Sequence, residues 1–166
     1  MPSLVGSEMC IRDRGRALRL KVIRASKEQL YSDGVHLFLE VKDPQDFSKK
    51  ERMVMRFFDR QCKEVFGEIV EELYPVFQKY GVAVPSLRIR SMDTRWGSCL
   101  PGKGVITLNK RLLEAPRNCI EYVVMHELCH FIHPNHSKHF YAFLSMLMPD
   151  WKERKKVLDA NDTYYL

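Results

Sequence analysis

Five of the six histidines in this chain of 166 residues lie within positions 126–139, HELCHFIHPNHSKH. His126 and His130 are four residues apart, and on a helix this spacing places two side chains on one face, one turn apart. Two imidazoles in that arrangement can each hold a nitrogen about 2.0–2.1 Å from one zinc ion. His136 follows a short distance along the chain and offers a third imidazole. The cluster therefore predicts a metal site with three histidine ligands.

Glu127 directly follows the first of these histidines, so its side chain projects about 100° around the helix from His126. A carboxylate in that place suits a proton acceptor beside an open coordination position better than it suits a ligand. Three neutral imidazoles leave one position of a tetrahedral zinc ion for water, whose pKa falls to roughly 7 on the metal. These residues therefore predict hydrolysis by a zinc-activated water, with Glu127 as the general base.

Four segments of the sequence resemble the YgjP-like zinc metallopeptidase family, which is related to the WLM and SprT-type peptidases of the zincin fold. The segments are RWGSC at 95–99, LNKRLLEAP at 108–116, YVVMHELCH at 122–130 and NHSKHFY at 135–141. The resemblance is firm over about residues 86–158 and loose over the N-terminal strands. It implies a zinc-dependent peptidase with a Zn²⁺ cofactor, a peptide or protein substrate, zinc ligands at His126, His130 and His136, and a general base at Glu127.

Other ligand sets remain open from the sequence. His133 or a cysteine could complete a closed site of four protein ligands, and the protein would then be a non-catalytic zinc-binding module. The third ligand could instead be an acidic residue of a later helix, for which Glu153 is the nearest candidate. His139 is interpreted as solvent-facing or as a neighbour of the ligands. Cys129 is interpreted as a small buried apolar residue, because its spacing turns it away from the ligand face.

The group that stabilises negative charge on the substrate oxygen is not identified by the sequence. Arg95 and Tyr141 are candidates, and the metal ion alone could suffice. Trp96 is interpreted either as a core aromatic or as part of the substrate cleft, and Gly97 as a residue that permits a tight strand bend. Zincins bind peptides as an added strand along a sheet edge, and SLRIRSM at 86–92 or the strand after it could provide that edge.

The elements that would position these residues follow from hydrophobic periodicity. LRLKVIRA and VHLFLEV, within residues 17–41, alternate as strands around the turn signal SDG and predict a hairpin or meander. From Ser48 to about Tyr80, apolar residues recur at steps of three and four. They predict a helix that Pro75 kinks or divides and that Gly81 ends. SLRIRSM and VITLN predict further strands, with a hairpin at LPGKG.

The histidine segment itself begins on a predicted helix. CIEYVVMHELCHFI, from about Arg117 onward, is apolar nearly throughout and predicts a buried helix that Pro134 ends. Asn135 or Ser137 then caps a helix, FYAFLSMLM, that stops near Pro149, and a short basic helix, WKERKKVL, follows. Strands followed by helices predict an α+β domain. With the resemblance, the expected fold is a zincin-like metallopeptidase fold that has a mostly antiparallel sheet, a buried HExxH helix and C-terminal helices.

The composition is that of a globular protein, with 45% hydrophobic residues and no apolar run long enough to span a membrane. The net charge of +6 favours acidic partners. Nucleic acid is therefore a weakly supported partner, and the basic C-terminal helix is more simply a solvated face. Five scattered cysteines without a CxxC pair favour the cytoplasm. The sequence does not indicate an oligomeric state.

The N-terminal segment MPSLVGSEMCIRDR has no helical or strand periodicity and resembles a translated sequencing adapter. We therefore predict that residues 1–14 are a non-native segment without function. Residues 15–166 are predicted to form a single zincin-like metallopeptidase domain.

Overall fold

The computed structural model describes residues 10–162, with the side chains of residues 10–160. This part of the chain divides into two compact units, one ending at Gln61 and the other beginning at Cys62. A long helix, α1 (Phe47–Gln78), contributes residues to both units. Both units combine strands with helical residues, so the predicted α+β class is confirmed. The prediction that residues 15–166 form a single domain stays a prediction.

The N-terminal unit contains a four-stranded sheet in the order β1-β2-β4-β3. Its strands are β1 (Cys10–Asp13), β2 (Arg16–Arg24), β3 (Gln29–Ser32) and β4 (His36–Val41). The SDG turn joins β3 to β4 in an antiparallel pair, whereas β2 and β4 are parallel. The predicted pairing of LRLKVIRA with VHLFLEV as a hairpin is therefore wrong. The sequence interpretation missed β3, which is too short to show a period and whose pairing lets β4 lie between β2 and β3.

β1 lies within the segment that is predicted to be non-native. Buried and exposed side chains alternate along it, and it pairs antiparallel with β2, so the inferred lack of strand character is wrong for residues 10–13. Residues 1–9 lie outside the part of the chain that the structure describes. The non-native origin of residues 1–14 stays a prediction.

The core of the N-terminal unit forms between one face of this sheet and the first half of α1. Alternate residues of β4 are buried, as expected for a strand with one covered face. The cluster consists of Ile11, Leu18, Leu37, Leu39, Val41 and Val54, with Met53, Phe57 and Phe58 of α1 packed against it. Pro75 does not divide α1, because it lies in the last turn, where few residues remain to be disrupted. Gly81 follows the end of the helix in a left-handed conformation with φ of 79°.

The second unit contains a three-stranded sheet in the order β5-β7-β6. Its strands are β5 (Ser86–Arg90), β6 (Gly97–Leu100) and β7 (Val105–Asn109). β6 and β7 form the predicted hairpin at LPGKG, where a 3-10 turn at Pro101–Lys103 is closed by Gly104 in a left-handed conformation. β5 and β7 are parallel. Among the five strand pairings of the described residues three are antiparallel, so each sheet is mixed.

Three helices follow this sheet: α2 (Arg117–Cys129), α3 (Lys138–Leu147) and α4 (Trp151–Asp162). α2 is largely buried, as its apolar sequence predicts. It ends at Cys129 rather than at Pro134, because the next amide groups bond to carbonyls three residues back and tighten the chain into turns. Ser137 caps α3 by accepting a hydrogen bond from the amide of Phe140. No helix within residues 10–162 is long and apolar enough to cross a membrane.

Ion pairs fix the N-terminal end of α2. Arg117 contacts Glu72 of α1 at 2.8 Å and Glu121, one turn along α2, at 3.2 Å. Glu121 also contacts Arg154 of α4 at 2.7 Å. These contacts join three helices of the second unit around the start of α2. They are partly exposed, so each contributes little alone, and their value lies in the shared network.

Asn109, at the end of β7, holds the segment that leads into β6. Its side chain is 2% exposed and donates hydrogen bonds of 2.8 Å to the carbonyl oxygens of Met92 and Arg95. Its side-chain oxygen accepts a bond from the amide of Arg111, and its own amide bonds to the carbonyl oxygen of Trp96. One buried side chain therefore determines the path of the chain through residues 92–96.

We expect Asn109→Ala to lower the free energy of unfolding by about 1–3 kcal/mol, because carbonyl groups lose their donors inside the protein. Urea denaturation followed by circular dichroism measures the change. Asn118→Ala is the matched control, since Asn118 is exposed, and its effect should stay within about 0.5 kcal/mol. Equal losses in the two variants would contradict the role given to Asn109.

Candidate active site

The structure brings His126, His130 and His136 together. His126 lies on α2, His130 directly follows its last residue, and His136 lies in the loop before α3. Nε2 of His136 is 2.9 Å from Nε2 of His126 and 3.1 Å from Nε2 of His130. One ring nitrogen from each residue lies within 4.8 Å of the other two, and no other histidine, cysteine, aspartate or glutamate among the described residues joins this group. Three potential ligand atoms thus face a common point.

The spacing of these nitrogens fits a metal ion. Two nitrogens bound to one tetrahedral zinc ion are about 3.3–3.4 Å apart, given bond lengths of about 2.0–2.1 Å. The separations of 2.9 and 3.1 Å are a few tenths of an ångström shorter, so a small outward movement of the rings would accommodate the ion. Imidazole nitrogens are also the donors that zinc commonly uses. The residues present therefore fit the metal that the sequence predicts.

Phe140 of α3 forms the base of the cluster. It is fully buried, and its ring centre lies 4.9 Å from that of His126, 4.6 Å from His130 and 5.0 Å from His136. The ring of His130 stacks on it at an interplanar angle of 27°. One aromatic side chain thus limits the movement of all three imidazoles. Because Ser137 caps α3 through the amide of Phe140, the start of this helix is coupled directly to the site.

Backbone groups fix the ring of His130 but not that of His126. Nδ1 of His130 donates to the carbonyl oxygen of His133 at 3.1 Å, which leaves the lone pair of Nε2 directed at the cluster. Nδ1 of His126 is buried and has no hydrogen-bond partner among the residues that the structure describes. The orientation of His126 therefore depends on packing, with Tyr122 at 5.9 Å on one side and Phe140 on the other.

Burial sets the protonation of the site. Desolvation, reinforced by the neighbouring His130 and His136, lowers the pKa of His126 to about 3, and desolvation also lowers the pKa of His130. Both rings are therefore neutral at neutral pH, the form that binds a metal. Burial raises the pKa of Glu127 to about 7, and the positive charge of Arg95 opposes this shift. Glu127 is 6% exposed, so its carboxyl group is largely shielded from bulk water.

A cleft of about 570 Å³ opens beside the cluster. One wall is the segment of residues 94–99 that includes β6, and the other is formed by α2 and α4. His126, Glu127, His130 and His136 all contribute to its lining. The site is thus accessible to a ligand much larger than water.

The model of the YgjP-like metallopeptidase domain matches residues 3–161, nearly the whole chain. The chain belongs to the YgjP-like metallopeptidase family. A metallopeptidase uses a divalent metal ion to hydrolyse peptide bonds, and the histidine cluster is the group of described residues that can hold one. No curated protein matches the chain.

Two solved structures share the fold of this YgjP-like protein. The metallopeptidase zymogen of Pyrococcus abyssi abylysin has a TM-score of 0.50 and 20% identity, over 60% of this chain and 93% of abylysin. The metallopeptidase zymogen of Methanocaldococcus jannaschii jannalysin has a TM-score of 0.50 and 21% identity, over 58% of this chain and 95% of jannalysin. The predicted zincin-like metallopeptidase fold is thus confirmed at the level of the fold.

The remaining sequence candidates of the YgjP-like domain separate into two groups. Arg95, Trp96 and Cys99 line the cleft, so Trp96 is part of its wall. His133 instead stacks with His139, with ring centres 6.3 Å apart, and neither joins the cluster. Cys129 is fully buried, as its spacing indicates. The two remaining candidates, Tyr141 and Glu153, are exposed and lie outside the cleft lining. The ring of Tyr141 stacks on that of His136, with ring centres 6.1 Å apart.

Sequence reasoning missed several residues of the YgjP-like site. Tyr122 lines the cleft, and its spacing of four residues before His126 could have identified it, because both lie on one face of α2. Lys155 and Asp159 also line the cleft and form an ion pair of 2.6 Å, although α4 was interpreted as a solvated basic face. No local pattern in the sequence identifies Phe140 or α4 as part of the site, because they reach it through tertiary packing.

If His136 is the third ligand of this YgjP-like protein, His136→Ala should lose most bound zinc. We expect a fall from one zinc ion per chain to well below one, because two imidazoles bind the ion far more weakly than three. His139→Ala is the matched control and should retain full zinc. Mass spectrometry of the metal content of dialysed protein measures both. Retention of zinc by His136→Ala together with its loss in Glu153→Ala would assign the third ligand to α4 instead.

Proposed function

We propose that this protein is a zinc-dependent peptidase in which His126, His130 and His136 bind Zn²⁺ and Glu127 is the general base. The observation that carries the proposal is the convergence of three imidazole Nε2 atoms in a cleft that Glu127 also lines. Membership in a metallopeptidase family supports the reaction class. The substrate is a peptide or a protein.

The chain supplies the ligands and the base, and the metal supplies electrophilic chemistry. Bound zinc would lower the pKa of water and polarise a peptide carbonyl group. Glu127 accepts a proton from the attacking water and delivers it to the nitrogen of the leaving amine. Its burial supports both steps, because a carboxyl group whose pKa is near 7 can both accept and donate a proton at neutral pH.

The position of β6 supports binding of an extended peptide. Among the described strands, β6 pairs only with β7, so its other edge is not paired with a strand. Gly97, Ser98 and Cys99 of β6 line the cleft beside Glu127. A peptide could therefore add to the sheet along this edge and pass the metal site with its backbone hydrogen-bonded.

Arg95 is the better of the two candidates for stabilising negative charge on the substrate oxygen. It lines the cleft, and its charge acts on Glu127, whereas Tyr141 lies outside the lining and stacks on both His136 and Trp151, with ring centres 6.1 and 5.5 Å apart. A cationic group at the cleft can stabilise charge that develops during the reaction.

Two further expectations remain predictions. A closed zinc site in a non-catalytic module would need a fourth protein ligand, and the described residues supply three. This counts against the module, and the net charge of +6 supports a nucleic-acid partner only weakly. The cytoplasm remains the expected compartment, since the five scattered cysteines contain no CxxC pair.

We expect Glu127→Gln to keep its zinc and to lose nearly all peptide hydrolysis, because an amide cannot accept the proton. The measurement compares zinc content and turnover of a fluorogenic peptide library for purified wild type and variant. Glu71→Gln, an exposed residue of α1, is the control and should keep both. A chelator should abolish the wild-type activity, and added zinc should restore it.

Turnover by Glu127→Gln at the wild-type rate would refute the assignment of the base. Wild-type protein that binds zinc but cleaves no member of the library, with or without added metal, would favour the zinc-binding module.

A further inference from the structure

The start of β6 lies unusually close to Glu127. If position 97 carried a Cβ atom, that atom would be 3.0 Å from Cγ of Glu127, 3.0 Å from its Oε1 and 3.1 Å from Cγ1 of Val123. Ordinary van der Waals contacts between such atoms are about 3.5–4.0 Å. The glutamate side chain therefore occupies the space that a side chain at position 97 would need.

Space, rather than backbone conformation, explains the glycine at this position. Gly34, Gly81 and Gly104 have positive φ angles that favour glycine, and a Cβ at each of them would meet nothing within 4 Å. Gly97 has no positive φ angle, so other residues could adopt its backbone conformation. The interpretation of Gly97 as a residue that permits a tight bend is replaced by one in which it leaves room for a neighbour.

We infer that Gly97 is a positioning residue for the reaction, because the absence of its side chain allows the carboxylate of Glu127 to lie against β6. This inference rests on the proposed role of Glu127 as the general base. It assigns to the RWGSC segment a function in the reaction that does not involve contact with the metal.

The surroundings of Gly97 are fixed, so a side chain there would displace Glu127 rather than the strand. Gly97 is paired with Leu108 of β7, and the preceding carbonyl group, that of Trp96, is held by the amide of Asn109. Val123 is 4% exposed and belongs to the body of α2. The side chain of Glu127 lines the cleft, so of these groups it has the most room to move.

Displacement of the Glu127 carboxylate should lower the rate of hydrolysis and leave zinc binding unchanged. A misplacement of about 1 Å at a reacting group can reduce the rate about a hundredfold. None of the three atoms nearest to the added Cβ belongs to a histidine. We expect Gly97→Ala to reduce kcat at least about tenfold, with a smaller effect on KM and with zinc content unchanged.

The experiment compares kcat, KM and zinc content for wild type, Gly97→Ala and Gly102→Ala. Gly102→Ala is the matched control, because it makes the same substitution shortly after β6 at a position with nothing within 4 Å of the added atom and without a positive φ. It should retain the wild-type kcat. In a Glu127→Gln background, Gly97→Ala should cause no further loss, since the group through which it acts is already removed.

Thermal unfolding tests the same contact without any use of activity. Glu127→Ala removes two of the three atoms nearest to a methyl group at position 97 and leaves Cγ1 of Val123 in place. The change in Tm caused by Gly97→Ala should therefore be more favourable in the Glu127→Ala background than in wild type. This comparison also applies if Gly97→Ala alone folds poorly.

A kcat for Gly97→Ala within about twofold of wild type, or an equal change in Tm in both backgrounds, would overturn the inference. These outcomes differ from failure of the proposed function. If Glu127→Gln retained full turnover while the change in Tm still depended on Glu127, the close contact would stand and the assignment of the base would fall.

Discussion

The candidate site depends on three imidazole nitrogens that lie close to one point. The Nε2 atom of His136 lies about 3 Å from those of His126 and His130, and burial keeps at least His126 neutral at neutral pH. A neutral imidazole carries one N–H, so each of these contacts can be an N–H···N hydrogen bond in one tautomer. A divalent cation can instead accept the lone pairs of all three nitrogens at once. The same burial that disfavours a second proton on His126 thus favours the neutral rings that a metal binds.

The surrounding structure explains how the rings are held in this arrangement. Phe140 contacts all three imidazoles, and the carbonyl oxygen of His133 fixes the tautomer of His130. Ion pairs of Arg117 and Arg154 hold α2 near its start, a few turns from the site. None of these groups binds the metal, yet each limits a movement that would separate the nitrogens. Preorganisation of this kind lowers the entropic cost of closing the site around an ion.

Local spacing accounts for what the sequence could predict. His126, Glu127 and His130 lie on one short stretch of helix, and the cap at Ser137 is equally local, so periodicity and residue type suffice for both. The order of the strands could not be predicted. β2 pairs with β4, and the strand that lies between them in the sequence, β3, has only four residues. Lys155 and Asp159 reach the cleft through the packing of α4 against α2, which leaves no pattern in the sequence around them. The residues around Gly97 in the sequence likewise give no sign of its role, since the atoms that exclude a side chain there belong to α2.

The proposed metal ligands and the proposed base are positioned by different parts of the second unit. The three histidines depend on the end of α2, the loop that follows it and the start of α3, whereas the carboxylate of Glu127 lies against β6. β6 in turn depends on β7 and on Asn109, which fixes the segment before it. His126 and Glu127 are adjacent in the sequence, yet their side chains are positioned by different elements of the second unit. Changes in the sheet can disturb proton transfer while the metal site persists, and changes in the loop or α3 can remove the metal while the base keeps its place. The position of the Glu127 carboxylate relative to the histidines thus depends on the packing of α2 on the sheet, a tertiary contact that the HExxH spacing alone does not determine.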